Sequence, residues 1–326
     1  MIDKTWLYDL GWPYQDDATT QSQDAFLIGR VIRQDRQYYT VETSAGSKRA
    51  RLPGKTRNRA SRKADLPAVG DWLRIAISAT HDGIADILFQ YPRKLSLCRQ
   101  ATGEVKEKQV LAANIDLVFV ISGLDQNFNV NRIERFLMMA WSSGLPAVLL
   151  LNKADLFVDP YAQLKALEPV LSGTPVHTIS ALKGTATEAI TSYLGAGKSA
   201  ALVGSSGVGK STLVNFLMGK EHMETKAVRE FDDKGRHTTT HRELCRLPGN
   251  KGLLVDTPGM RQAQLWADLE ALTDFYGDIF ALAAACKYTD CQHAQEPLCN
   301  VNAAVKAGGL SQFRLTQYQK LAAYIA

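Results

Sequence analysis

No apolar run in the 326 residues approaches the roughly 20 that a membrane-spanning helix needs. The opening segment, Met1 to Trp12, carries acids and lacks the basic-then-apolar pattern of a secretory signal. A cytoplasmic protein with no membrane partner is therefore expected. Cysteine is scarce, with five in all. Cys98 and Cys245 stand apart and read as packed thiols. Cys286, Cys291 and Cys299 crowd around His293, and in a reducing compartment such a group favours metal over disulfide. Net charge is only +5, so the distribution of charge matters more than its sum. The apolar share of 45% is ordinary for a globular chain, and the length suggests two or three domains.

What is present is organised around Gly204-Ser205-Ser206-Gly207-Val208-Gly209-Lys210-Ser211-Thr212. It follows an apolar strand-like run, Ala200 to Val203, and enters a helix-like run, Leu213 to Met218. This is G-x-x-x-x-G-K-S in the setting that gives it mechanical meaning. Backbone N–H groups turned inward cradle phosphates, and the following helix adds the positive end of its dipole. Lys210 is placed to reach the β- and γ-phosphates and Ser211 to ligate Mg²⁺. An ordinary glycine-rich turn is the competing reading, and the strand and helix flanks weigh against it.

Two further boxes precede this loop. A buried-strand run, Ile115–Ser122, leads to an amphipathic stretch, Asn131–Ser143, with Ile133, Phe136, Leu137 and Ala140 on one face. The strand Pro146–Leu151 then ends in Asn152-Lys153-Ala154-Asp155. This is an N-K-x-D guanine reader, whose Asp155 carboxylate can accept from the ring N–H and the exocyclic amino group of guanine. Adenine would leave that carboxylate poorly paired. Asn152 ties the base loop to the phosphate loop, and the stem of Lys153 packs on the purine. The next strand, Val176–Ile179, ends in Ser180-Ala181, a small-residue box with a backbone N–H for the guanine oxygen.

Two boxes follow the phosphate loop. Gly235-Arg236-His237-Thr238-Thr239-Thr240 precedes the strand His241–Leu247. Thr239 is favoured there to complete the Mg²⁺ shell, with Thr238 and Thr240 as alternatives. The strand Gly252–Val255 ends in Asp256-Thr257-Pro258-Gly259, a D-x-x-G box. Asp256 would hold Mg²⁺ through water, and the Gly259 N–H would sense the γ-phosphate. All five guanine-nucleotide boxes are thus present in the order base, phosphate, switch. That order is a circular permutation of a GTPase domain, which termini lying close together make tolerable. Met260 stands where many GTPases carry a water-orienting glutamine, and a thioether cannot orient water. His237 is the nearest candidate to replace it, with a solvated loop histidine as the competing reading.

Ahead of these boxes, five short strand-like runs lie between Phe26 and Phe89: Phe26–Ile32, Tyr38–Glu42, Arg49–Leu52, Trp72–Ile77 and Ile84–Phe89. They predict a small barrel of the oligonucleotide-binding type, and an SH3-like barrel fits nearly as well. Of Tyr38 and Tyr39, one must face the core and one outward. Lys48, Arg49, Arg51, Lys55, Arg57, Arg59, Arg62 and Lys63 form a basic run with no acid inside it. Lys55, Arg57, Arg59 and Arg62 suit contact with an RNA backbone, against the plain reading of a solvated loop. Residues 1–22 show no clear period and read as an extension that is flexible or caps the barrel.

At the other end, Cys286, Cys291, His293 and Cys299 are spaced C-x4-C-x-H-x5-C. Three thiolates and one imidazole can close a tetrahedral structural Zn²⁺ site with no open position. Helical runs flank it, Leu269–Ala284 and Gln312–Ile325.

The permuted box order, the Arg236-His237-Thr238 triplet, the D-x-x-G box, the Cys/His cluster and Pro67-Ala68-Val69-Gly70-Asp71-Trp72 together resemble the ribosome small subunit-dependent GTPase family, RsgA/YjeQ. The likeness runs from about residue 25 to the end. It implies an OB-type barrel over 23–100, a permuted P-loop GTPase domain over 101–267 and a helical zinc-binding domain over 268–326. It implies GTP hydrolysis to GDP and phosphate, stimulated by the small (30S) ribosomal subunit and its rRNA late in that subunit's maturation. The family's catalytic histidine falls on His237, and a monomer is expected. The alternative is an RNA-binding module that holds GTP as a structural ligand.

Overall fold

The computed structural model describes residues 4–14, 26–35, 37–54, 62–77, 83–100, 107–156, 159–219, 242–257, 272–273 and 276–325. Five strands near the N-terminus form a barrel: β1 (Phe26–Gln34), β2 (Tyr39–Thr43), β3 (Gly46–Arg51), β4 (Trp72–Ala76) and β5 (Ala85–Gln90). β1 pairs antiparallel with both β2 and β4, which closes the barrel. β3 and β5 run parallel, through Ala50↔Ala85 and Arg51↔Asp86. An SH3-like barrel is antiparallel throughout. The parallel pair therefore decides for the oligonucleotide-binding type. Alternation along β2 puts Tyr39 and Val41 into the barrel core. Tyr38 faces outward, with the Arg49 guanidinium 4.1 Å above its ring.

Six later strands form the nucleotide-binding sheet: β8 (Leu117–Gly123), β9 (Ala147–Asn152), β10 (Val176–Thr178), β11 (Ser199–Gly204), β12 (Glu243–Arg246) and β13 (Leu253–Asp256). Their spatial order is β10-β9-β8-β11-β13-β12. All neighbours are parallel except β12, which pairs antiparallel with β13 at the edge. Every residue of β8, β9, β11 and β13 is buried. Continuous apolar runs of this kind are what parallel strands covered on both faces require. The phosphate-loop strand β11 lies inside the sheet. The base-reading strands, earlier in the chain, lie on one side of it, and the switch strands, later in the chain, on the other. The permutation is therefore visible in space as well as in sequence.

The helix expected over Asn131–Ser143 spans Val130–Trp141, with Asn129 capping it by accepting from the Arg132 N–H at 2.9 Å. Ile133, Phe136, Leu137 and Ala140 are buried as their spacing demands. Met138, Met139 and Trp141 are buried too, because the C-terminal helix Gln312–Ile325 covers a second face. Lys320 of that helix donates to the Pro169 carbonyl at 2.9 Å and stands 6.0 Å from the Trp141 ring.

Of the first residues, expected to be a flexible or capping extension, 4–14 are packed rather than flexible. Lys4–Asp9 is helical, and Leu7, Leu10 and Trp12 enter the same core that holds Trp72, Tyr91 and Leu321. With the partly buried Trp6 they make four large apolar side chains within seven residues, which bury enough surface to order so short a segment. A hairpin of β6 (Ser96–Gln100) and β7 (Lys108–Ala113), also unforeseen, joins barrel to sheet.

Arg30 of β1, fully buried, holds this junction. Its guanidinium donates to the carbonyls of Leu10, Gly70 (3.1 Å) and Asn114 (2.8 Å) and to Ser199 Oγ (2.9 Å). Burial lowers its pKa to about 10, so it remains charged at neutral pH. Close backbone contact completes the joint. Gly11 and Gly197 both have positive φ, and a Cβ on Gly11 would lie 2.3 Å from the Gly197 carbonyl oxygen. Arg30→Met should cost about 3 kcal/mol in urea unfolding, since it takes the guanidinium from the buried Leu10 and Asn114 carbonyls, whereas the Gly70 carbonyl keeps the Asn114 Nδ2 donor at 3.0 Å.

Candidate functional site

The phosphate loop connects β11 to the helix Lys210–Met218. Gly209, at φ 97°, is left-handed, and a Cβ there would lie 2.3 Å from Asn152 Nδ2. Only glycine meets both conditions. Lys210 is buried and donates to the carbonyls of Gly204 and Ser205, each at 2.9 Å. Burial lowers its pKa to about 8, against the opposing pull of Asp256. Ser205 and Val208 are buried, Ser206 and Gly207 are exposed, and Ser211 and Thr212 are half-buried on the first helical turn.

Asn152 joins the base loops to this loop. Its Nδ2 donates to the Val208 carbonyl at 2.7 Å, and its Oδ1 accepts from the Ala181 N–H at 2.9 Å. The Ala181 N–H assigned to the guanine oxygen is thus already engaged, and an incoming oxygen would share it. Asp155 accepts from Ser180 Oγ at 2.5 Å, which fixes the carboxylate expected to meet the base edge. Ala154 opens the short 3₁₀ turn that carries Asp155. The Lys153 ammonium meets Asp125, a residue the sequence reading passed over. The available signal is an aspartate just past a strand end, whose carboxylate can accept from the main-chain N–H two residues on in an Asx turn.

Asp256 closes β13 with no exposure, and neither carboxylate oxygen has a hydrogen-bond partner among the described residues. Burial raises its pKa to about 6, with Lys210 opposing and Glu243 adding to the rise. A buried carboxylate of this kind, close enough to Lys210 at the end of the phosphate loop to interact with its charge, is a donor that a hydrated Mg²⁺ takes, and Ser211, next to Lys210, offers a hydroxyl. The residues described therefore fit that ion. The folded pKa of Asp256 lies above the ordinary carboxylate value. Its contribution is thus complete below about pH 4 and is lost as the pH rises through 6. Asp256→Asn should stabilise the nucleotide-free protein by about 2 kcal/mol at pH 8 and by almost nothing near pH 4, measured by urea unfolding.

Cys286, Cys291, His293 and Cys299 converge, with all four ligand atoms within 4.8 Å of one another. The Cys286 and Cys299 sulfurs lie 3.9 Å apart, and His293 Nδ1 is 3.7 Å and 3.5 Å from them. Ligands about 2.3 Å from a tetrahedral zinc are separated by about 3.8 Å, so the cluster has the dimensions of that shell. The His293 imidazole is buried, and burial lowers its pKa toward the neutral, ligating form. Cys299 has a second role, accepting from the Asn302 N–H at 3.4 Å to cap the helix Asn300–Lys306. Gln319 of the last helix donates to the His293 carbonyl at 2.7 Å. Chelation at neutral pH should remove about one zinc per chain and melt the Cys286–Cys299 segment, read as lost helical signal and new protease cleavage there.

His237, Thr238, Thr239, Thr240, Gly259 and Met260 lie outside the described residues, as do Lys55, Arg57 and Arg59. Arg62 is exposed at the start of a 3₁₀ turn, Lys63–Asp65. Lys63 pairs with Glu107 at 2.9 Å, so one end of the basic run has a counter-charge from just before β7. Cys98 and Cys245 are buried free thiols, as expected, and burial pushes the Cys245 thiol up to about 12. No helix among the described residues is long and apolar enough to cross a membrane.

A family model described as RsgA GTPase matches residues 90–266. Small ribosomal subunit biogenesis GTPase RsgA 2 of Lactiplantibacillus plantarum is 42% identical over 314 residues, spanning 96% of this chain and 87% of its own. The RsgA protein of Opitutus terrae is 39% identical over 97% of this chain and 88% of its own. Among solved structures, YjeQ from Thermotoga maritima superposes with a TM-score of 0.60 at 26% identity, covering 92% of this chain and 98% of that one. YloQ, described as a circularly permuted GTPase, gives 0.56 at 21% identity over 95% and 98%, a likeness of fold.

Proposed function

Because the chain belongs to the RsgA GTPase family, we propose that it hydrolyses GTP on the small ribosomal subunit late in that subunit's maturation, with the subunit stimulating the reaction. The observation that carries the reading is the Asn152 bridge between the guanine boxes and the phosphate loop. It joins segments that the permuted chain presents in reverse order into one nucleotide site. A protein of the cytoplasm that acts as a monomer fits this role.

In this reading Asp155 accepts from guanine, and the loop Gly204–Thr212 holds the phosphates. Lys210 exchanges its two carbonyl partners for phosphate oxygens, which relieves its desolvation. Ser211, Asp256 and Thr239 would hold Mg²⁺, which neutralises charge developing on the phosphates. His237 orients the attacking water, and the Gly259 N–H meets the γ-phosphate. Basic residues of the barrel, Lys55, Arg57, Arg59 and Arg62, face rRNA. The Cys286/Cys291/His293/Cys299 site holds one structural Zn²⁺.

Single-turnover GTP hydrolysis with and without small subunits tests the proposal. Subunits should raise the rate, and His237→Ala should remove about 100-fold of the stimulated rate while leaving GDP affinity intact. A rate indifferent to subunits and to His237→Ala would mean that GTP serves only as a structural ligand.

A further inference from the structure

We propose that Asp125 is the positioning residue for the base-reading lysine, and that it sets affinity for the guanine ring through Lys153. The inference rests on the guanine reading of Asn152–Asp155. Asp125 follows the end of β8 in a turn of its own making. Its Oδ1 accepts from the Asn127 N–H at 3.1 Å, and its main-chain carbonyl accepts from the Phe128 N–H at 2.8 Å. The side chain is therefore aimed before it meets any partner. Gly123 leaves it room, because a Cβ there would lie 2.7 Å from Oδ1.

The other oxygen, Oδ2, accepts from Lys153 Nζ at 2.6 Å, and the two side chains are only 20% and 21% exposed. Burial disfavours the Asp125 carboxylate, yet the Lys153 hydrogen bond and the Asn127 N–H hold its pKa below the ordinary value. Lys153 sits at φ 68°, in the left-handed region that costs a residue with a side chain about 1 kcal/mol. Such strain persists where the surroundings over-determine the conformation, and it concentrates at ligand clamps. The surroundings here are specific. Gly123 is in register with Asn152, and the Leu124 N–H donates to the Asn152 carbonyl at 2.9 Å. The ends of β8 and β9 are thus fastened together, and the lysine is stretched from one to the other.

A lysine moored at its head cannot swing its charge into solvent or into the base site. It presents its methylene stem, with the ammonium neutralised beyond it, as a flat apolar strip. A purine face packs on such a strip. Without Asp125, the ammonium would have to be immobilised each time a nucleotide bound, at a cost in side-chain entropy.

The test uses the full-length protein with GDP, GTP and tripolyphosphate as probes. Asp125→Asn, which preserves shape, should weaken GDP and GTP equally by about tenfold, the scale of one charge-assisted hydrogen bond. Tripolyphosphate, which has no base, should bind as before. KM for GTP should rise while kcat stays within about twofold, as loss of uniform binding requires. The double variant Asp125→Asn/Lys153→Met should bind no more weakly than Lys153→Met alone. Unchanged GDP affinity in Asp125→Asn, additive losses in the cycle, or an equal loss of tripolyphosphate would each overturn the proposal. If the wild-type protein shows no preference for GDP over ADP, the guanine reading fails and this role with it. If the preference stands and Asp125→Asn leaves GDP binding unchanged, only the role of Asp125 fails.

Discussion

The Arg30 guanidinium makes hydrogen bonds to four separate parts of the chain. Leu10 belongs to the N-terminal segment, Gly70 to the loop before β4, Asn114 to the end of β7, and Ser199 to the start of the phosphate-loop strand. A buried cation of this kind is costly unless its donors are satisfied, and here each of its three nitrogens has an acceptor. Asp71 and Asp116 lie close enough to favour its charged form. Asp71 in turn accepts from Arg93 at 2.6 Å and from the Ala68 N–H at 2.7 Å, which fixes the loop carrying Gly70. Asp116 accepts from the Ser199 N–H at 2.7 Å, which fixes the strand start. The position of the barrel relative to the nucleotide sheet is therefore set by charge and hydrogen-bond geometry as well as by apolar contact.

Local patterns carried what could be read in advance. Gly204–Thr212 and Asn152–Asp155 are legible because phosphate and guanine recognition need particular residues at fixed spacing, whatever surrounds them. The apolar runs of β8, β9, β11 and β13 are legible because a parallel strand buried on both faces admits almost nothing else. The barrel type was only half legible. The strands could be counted, but their order depends on the β3–β5 parallel pair, which joins residues far apart in sequence. No period within a single strand encodes that pairing.

The unread parts have a common cause, since their stability comes from elsewhere in the chain. The helix Lys4–Asp9 is too short to form alone, and it exists through Trp12 against Trp72 and Tyr91, with ring centroids 4.8 and 5.1 Å apart. The helix Tyr161–Leu171 begins after Pro160 and contains Pro169, whose ring removes an N–H from the helix interior. Pro169 falls in the last turn, and its carbonyl is taken up by Lys320 from the C-terminus. The helix Asn300–Lys306 is capped by a cysteine, a residue not expected at that position. Asp125 belongs with these. Its role is invisible until β8 and β9 are side by side, because its partner Lys153 lies at the end of the neighbouring strand.

The permutation changes what lies next to the metal-binding end of the sheet. β13, which ends at Asp256, is followed on its outer side by β12, where Glu243 is in register with Asp256. Glu243 is also in register with Arg33 of β1. The barrel is therefore one strand away from the carboxylate that fits Mg²⁺, and the connection is made through main chain. On the other side of the sheet, the last helix reaches the base-reading half through Lys320, which meets Glu134 at 3.5 Å and the Pro169 carbonyl. Gln319, its neighbour, holds the cysteine–histidine loop through His293. The two flanking regions thus meet different halves of the sheet, the barrel at the β12 edge and the last helix at the helices beside β8 and β9. The order of boxes along the chain makes that geometry available, since the strand carrying Asp256 ends where the chain leaves the sheet for the C-terminal helices.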